Sequence, residues 1–219
     1  MTSTIRTVLF DVDDTLLLTF LNGFRKIQTV GDRIEQESPS LDRFRALYGI
    51  LTFDQCMVRW FPDSNLDECR NIYESLSVSH PTAAIEGVIG AVNQLLERGI
   101  QVGVISNGLI DRIKAKLSSA GFPVQRLCTI YAATPQKTYR KPDPMVFADS
   151  LTSPNIHADT TIFVDDSIVD YLAATFAGIR FVGVLTGPRR PCTTPCIPSA
   201  ADVVDYMEGR RTDAVGMES

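Results

Sequence analysis

The apolar run Val8-Leu9-Phe10 passes directly into Asp11-Val12-Asp13-Asp14-Thr15. A short uninterrupted apolar run suits a strand buried on both faces. Ending it in carboxylates is costly, because an uncompensated charge at the edge of an apolar interior loses hydration. Side chains at i and i+2 of an extended segment point the same way. Asp11 and Asp13 are therefore expected to face one small space, where they repel unless a cation or proton intervenes. The competing reading is a polar strand end with a helix cap, since Asp and Thr both cap well.

The first strand is expected over residues 6–11, and the next not before 101–106. Between them lie helical stripes: Leu17, Phe20, Leu21, Phe24 and Ile27; Leu41, Phe44, Leu47, Tyr48 and Leu51; Phe53, Cys56, Met57 and Trp60; Leu66, Cys69, Ile72, Tyr73 and Leu76. Thr52 with Gln55, and Ser64 with Asp67, have the spacing of capping boxes. Trp60 and Phe61 read as packing residues. His80-Pro81-Thr82 reads as a return hinge.

After it, helices are expected at 84–98, 109–120, 144–151, 167–177 (carrying Ile168, Leu172 and Phe176) and 200–207. They alternate with strands at 128–132, 161–164 and 181–185. Alternation of this kind implies a parallel sheet with helices on both faces. The expected fold is α/β: a doubly wound parallel sheet (Rossmann-like core, 1–16 and 84–208) with a small all-helical cap (17–83) and a frayed tail (209–219). Gly187–Pro198 reads as a loop.

Hydrophobic residues at 44% and charged residues at 21% are ordinary for a globular protein. A net charge of −5 gives no support to nucleic-acid or membrane-surface binding. No apolar run approaches the roughly 18 residues of a membrane span, and Met1-Thr2-Ser3-Thr4 does not read as a signal peptide. The odd count of five cysteines, Cys56, Cys69, Cys128, Cys192 and Cys196, fits reduced thiols and a cytoplasmic location. The CxxxC pair Cys192/Cys196 has no other ligand at metal spacing. With only His80 and His157, a His-based triad or a multi-His zinc site is not expected.

Three later segments bear on Asp11 and Asp13. Val102-Gly103-Val104-Ile105 runs into Ser106-Asn107-Gly108. Arg140-Lys141-Pro142-Asp143-Pro144 lies in a loop. Ile162-Phe163-Val164 runs into Asp165-Asp166-Ser167, with Asp170 following. Together with Asp11–Thr15, and in this order, they resemble the four motifs of the haloacid dehalogenase-like hydrolase superfamily over residues 5–185, in particular its phosphoglycolate phosphatase-like branch. In doubly wound sheets ligands bind beyond the carboxyl ends of the strands, where Asp11, Ser106, Asp165 and Asp166 are all expected.

The resemblance implies a Mg²⁺-dependent phosphatase acting on a small phosphorylated metabolite. Asp11 is the implied nucleophile, ionised at neutral pH, and a metal ligand. Asp13 is the implied general acid and base, with its backbone carbonyl on the metal. Such an acid needs a pKa raised toward the working pH. Asp13 also favours phosphoryl transfer over dehalogenation, since a halide leaving group needs no acid. Asp14 stands where many relatives have Gly.

Ser106 and the Asn107 amide would hold phosphoryl oxygens; the other reading of Ser106 is a helix N-cap. Lys141 would neutralise nucleophile and phosphate, with Lys137 and Arg140 as basic neighbours. Asp166 aligns with the metal-binding acid. Asp165 would share the metal or orient its ligands. Asp170 would bind metal or water, pair with Lys141, or simply favour its helix dipole. Arg25, Arg45, Arg59, Arg189 and Arg190 are candidate contacts to a second anionic group, though each also suits a solvated position. A sugar phosphomutase and a catalytically silent binding protein are the alternatives.

Overall fold

The computed structural model describes residues 4–79, 81–134, 139–188 and 195–210. His80, Lys137, Arg189, Arg190, Cys192 and residues 211–219 therefore lie outside the described residues. The chain forms two compact units, Leu18–Thr82 and the remainder.

The larger unit is built on a six-stranded sheet of β1 (Thr7–Phe10), β2 (Gln101–Leu109), β3 (Thr129–Ala133), β4 (Thr161–Asp165), β5 (Arg180–Val184) and β6 (Cys196–Ile197). The order is β3-β2-β1-β4-β5-β6 and every pairing is parallel. β1 is central, which explains its lack of polar alternation: all four residues are buried. Its side chains divide between two cores, as the two-residue strand period requires. Val8 and Phe10 join Val88, Val92, Leu95, Ile113 and Leu117 on one face. Leu9 joins Phe147, Phe163, Ala173 and Phe181 on the other.

The smaller unit contains α1 (Phe20–Arg33), α2 (Leu41–Leu47), α3 (Phe53–Trp60) and α4 (Leu66–Ser79). Phe44 is its hub, with the rings of Phe20, Phe24, Tyr48 and Trp60 at 5.2–5.4 Å. Trp60 and Phe61 are buried, as packing residues should be. The Thr52/Gln55 capping box forms. The Ser64/Asp67 box does not. Asn65 instead accepts the backbone N–H groups of Asp67 and Glu68, while the Ser64 hydroxyl donates to the Phe61 carbonyl. An Asn directly before the first helical residue outcompetes a Ser one position further out.

The helices of the larger unit are α5 (Val88–Glu97), α6 (Ile110–Ser119), α7 (Ala148–Leu151), α8 (Ile168–Phe176) and α9 (Val203–Met207). Two expectations need correction. The segment read as a loop at 187–198 contributes β6, too short to carry a periodic signal. The stripe Ile168, Leu172 and Phe176 faces solvent, with Phe176 70% exposed. α8 instead packs through Asp170, Ala173 and Ala174.

Candidate active site

The carboxyl ends of β1, β2 and β4 carry the chemistry. Asp11 follows β1, Ser106 and Asn107 lie in the C-terminal half of β2, and Asp165 ends β4 with Asp166 next. Lys141 comes from a loop yet is buried. Its position has a clear cause: the Asn107 side chain grips its backbone from both sides. Lys141 N–H donates to Asn107 Oδ1 at 2.8 Å, and Asn107 Nδ2 donates to the Lys141 carbonyl at 3.3 Å. Sequence reasoning gave Asn107 only a backbone role, because the partner lies 34 residues away.

From that position Lys141 Nζ donates to Asp11 Oδ1 at 2.7 Å, Asp170 Oδ2 at 2.7 Å and Asp165 Oδ2 at 3.0 Å. An ammonium has three donors, and these bonds use all of them. Burial alone would lower the Lys141 pKa, but Asp11, Asp165 and Asp170 hold it well above the ordinary lysine value. One ammonium cannot compensate so many acids. Burial pushes Asp11 up to about 7 against the pull of Lys141, with Asp170 and Asp13 adding to the rise. Burial, then Asp11 and Asp14, push Asp166 up to about 8. Burial and Asp170 also raise Asp165 well above the usual carboxylate range. Each of these rises is driven first by burial of the carboxylate.

Asp11, Asp165 and Asp166 each offer an oxygen within 4.8 Å of the others, and all three are buried. Hard oxygen donors of this kind suit Mg²⁺. The Asp13 and Asp170 carboxylates are engaged elsewhere. Asp170 pairs with Lys141, and Asp13 Oδ1 accepts from Lys116 Nζ at 2.8 Å. Asp165 also accepts the Ser167 N–H through Oδ1, and Ser167 caps α8.

Ser106 is not an N-cap. β2 runs on to Leu109, which occupies that position for α6 without a side-chain bond. The Ser106 hydroxyl accepts the Gly108 N–H at 3.1 Å, which leaves its own proton to donate. Arg25, Arg45 and Arg59 are exposed, and Arg45 pairs with Asp42 at 2.8 Å.

Three further residues shape the site: Asp14, which carried no assigned role in the sequence, and Thr186 and Gly187, which did not stand out in it. Asp14 is buried and left-handed, with φ of 64°. That region favours Gly, and Asp is among the few other residues that tolerate it. Thr186 donates to the Asp14 carbonyl at 2.6 Å. Gly187 lies so close to Asp166 that a Cβ would sit 1.5 Å from Oδ2. The available signal was location alone, just past the carboxyl end of β5.

The family model for haloacid dehalogenase-like hydrolases matches residues 8–184. A pyrophosphatase PpaX of Listeria monocytogenes serotype 4a is 27% identical over 198 residues, covering 87% of this chain and 88% of that protein. A predicted phosphoglycolate phosphatase from Haemophilus somnus superposes with a TM-score of 0.80 at 16% identity, covering 94% of this chain and 99% of that one. CbbY from Rhodobacter sphaeroides, crystallised with phosphate, superposes with a TM-score of 0.73 at 16% identity, covering 91% and 96%. With the parallel sheet and the acids at its carboxyl edge, these matches place the chain in the haloacid dehalogenase-like hydrolase family, among phosphatase-type hydrolases.

Proposed function

We propose that the protein is a Mg²⁺-dependent phosphatase that hydrolyses a small organic phosphate monoester through an aspartyl-phosphate on Asp11. The observation that carries this reading is the Lys141 ammonium bonded to Asp11, Asp165 and Asp170, beside a group of three buried carboxylates. Asp11, Asp165 and Asp166 would hold the ion, with the Asp13 carbonyl as a further ligand. When bound, Mg²⁺ supplies the positive charge that lets a carboxylate approach a phosphate.

In the first half-reaction an Asp11 oxygen attacks phosphorus. The bond from phosphorus to the leaving oxygen breaks, its electron pair stays on that oxygen, and Asp13 delivers the proton. In the second, the Asp13 carboxylate takes a proton from water as the water oxygen attacks phosphorus. The Asp11–phosphorus bond breaks and its electron pair returns to Asp11. Covalent catalysis thus replaces one difficult transfer by two easier ones. Ser106 Oγ–H and the Asn107 backbone N–H would bind the phosphoryl oxygens, and Lys141 would offset the charge that accumulates.

The test is phosphate release from a panel of sugar phosphates, nucleotides, phosphoglycolate, pyrophosphate and 4-nitrophenyl phosphate, with Mg²⁺ and with chelator. Release is expected only with the ion, and Asp11→Asn should reduce it by about 10³-fold or more while the protein stays folded. Retained turnover in Asp11→Asn would sink the nucleophile assignment. Isomerisation of a sugar phosphate with a bisphosphate activator, and little free phosphate, would favour the mutase.

A further inference from the structure

We propose that Lys116 is a positioning residue that reserves the Asp13 carboxylate for proton transfer to the leaving group. The proposal rests on the acid and base role given to Asp13 above. Lys116 belongs to α6, which is anchored in the core by Ile113 and Leu117. Helical side chains lean toward the N-terminus. Lys116 therefore reaches back toward the end of the helix that follows Ser106 and Asn107, and its Nζ meets Asp13 Oδ1 at 2.8 Å.

The Asp13 backbone is already held. Asp13 bridges to Leu17, and the next N–H, that of Asp14, donates to the Leu17 carbonyl at 2.8 Å. What remains to be set is the side-chain rotamer, and Lys116 sets it through Oδ1, directing proton transfer to Oδ2. The cluster gives a reason for a separate cation. Lys141 has spent its donors on Asp11, Asp165 and Asp170, so it has none left to orient Asp13. Both partners are about one-third exposed, so the pair adds little to stability and its loss should not unfold the protein.

The leaving group reads this role directly. An alkoxide must be protonated as it departs, whereas 4-nitrophenolate leaves unaided. The experiment compares Lys116→Met and Lys116→Arg with the wild type on 4-nitrophenyl phosphate and on the alkyl phosphate it hydrolyses fastest. In Lys116→Met the ratio of kcat/KM for the alkyl ester to kcat/KM for the aryl ester, which reports the leaving-group step and not the shared hydrolysis of the intermediate, should fall about tenfold or more, the scale set by misplacing one acid. The alkyl ester's KM should stay within about threefold, since acid positioning acts on the transition state rather than on binding. Lys116→Arg should restore most of the ratio.

An unchanged ratio, or equal losses on both esters, overturns the proposal. Should Lys116→Met melt early, Lys116→Gln is read by the same ratio. Asp13→Ala run in parallel separates the two ideas. If its ratio does not fall, the acid role itself is wrong. If it falls while that of Lys116→Met does not, only the role of Lys116 is wrong.

Discussion

Asp14 and Gly187 both touch Asp166, one through charge and one through space. Asp14 is a cause of the raised Asp166 pKa, after burial and Asp11. Removing its carboxylate in Asp14→Gly suits the left-handed backbone and should let Asp166 ionise at lower pH. Because ligands must be deprotonated, the pH at which Mg²⁺ binding is half-maximal should then fall. Titration calorimetry across pH 6–9 checks this; an unmoved or higher midpoint contradicts it. Gly187→Ala acts by exclusion, since its Cβ would overlap the Asp166 carboxylate. If Asp166 is a ligand as proposed, displacing its oxygen should weaken Mg²⁺ binding by about tenfold or more. Calorimetry showing wild-type affinity would mean that the loop after β5 yields instead.

At the scale of elements, the Asn107 side chain ties the loop bearing Lys141 to β2. Asn107→Ala removes both bonds to the Lys141 backbone and leaves a part-buried N–H and C=O unpaired. We expect a loss of about 2 kcal/mol in stability, and a fall in kcat larger than the change in KM. Asn107→Asp keeps an acceptor for the Lys141 N–H but loses the donor to its carbonyl, so it should rescue only in part. Thermal melts and steady-state kinetics on the same preparations decide this. α8 supplies the contrasting case. Phe176 sits on its apolar stripe but is 70% exposed. Phe176→Ser should therefore change stability by no more than about 0.5 kcal/mol, far below the roughly 3–5 kcal/mol of truncating a core Phe. Periodicity located the stripe but could not say that Ala173 and Ala174, with Asp170 reaching Lys141, would lie against the sheet. Small side chains allow close approach to the Phe163 and Phe181 layer.

For the molecule as a whole, the acid cluster couples stability to pH. Burial pushes Asp11 up to about 7 and Asp166 up to about 8 in the fold, against about 4 in an unfolded chain. Between those values the folded state holds more protons than the unfolded one, so stability falls as pH rises. With chelator, the melting temperature should decline from about pH 4 to pH 8. Mg²⁺ binds the folded, deprotonated site and should restore more at pH 8 than at pH 6. A chelated protein that melts higher at pH 8 than at pH 6 would contradict the buried, uncompensated cluster.

What the amino-acid sequence determined alone was local: the apolar run that makes β1 central, the helix and strand alternation, the Thr52/Gln55 cap, and the acids, Ser106 and Lys141 at strand ends or in the loop. Each signal lies within a few residues, where period, turn chemistry and motif spacing operate. The tertiary structure decided the rest. It set Lys116 on Asp13 across 103 residues, made Asn107 the clamp on Lys141, pressed Gly187 onto Asp166, and turned the α8 stripe outward. These are contacts between distant segments, governed by packing and by competition among charges for one ammonium, and no spacing along the chain encodes them.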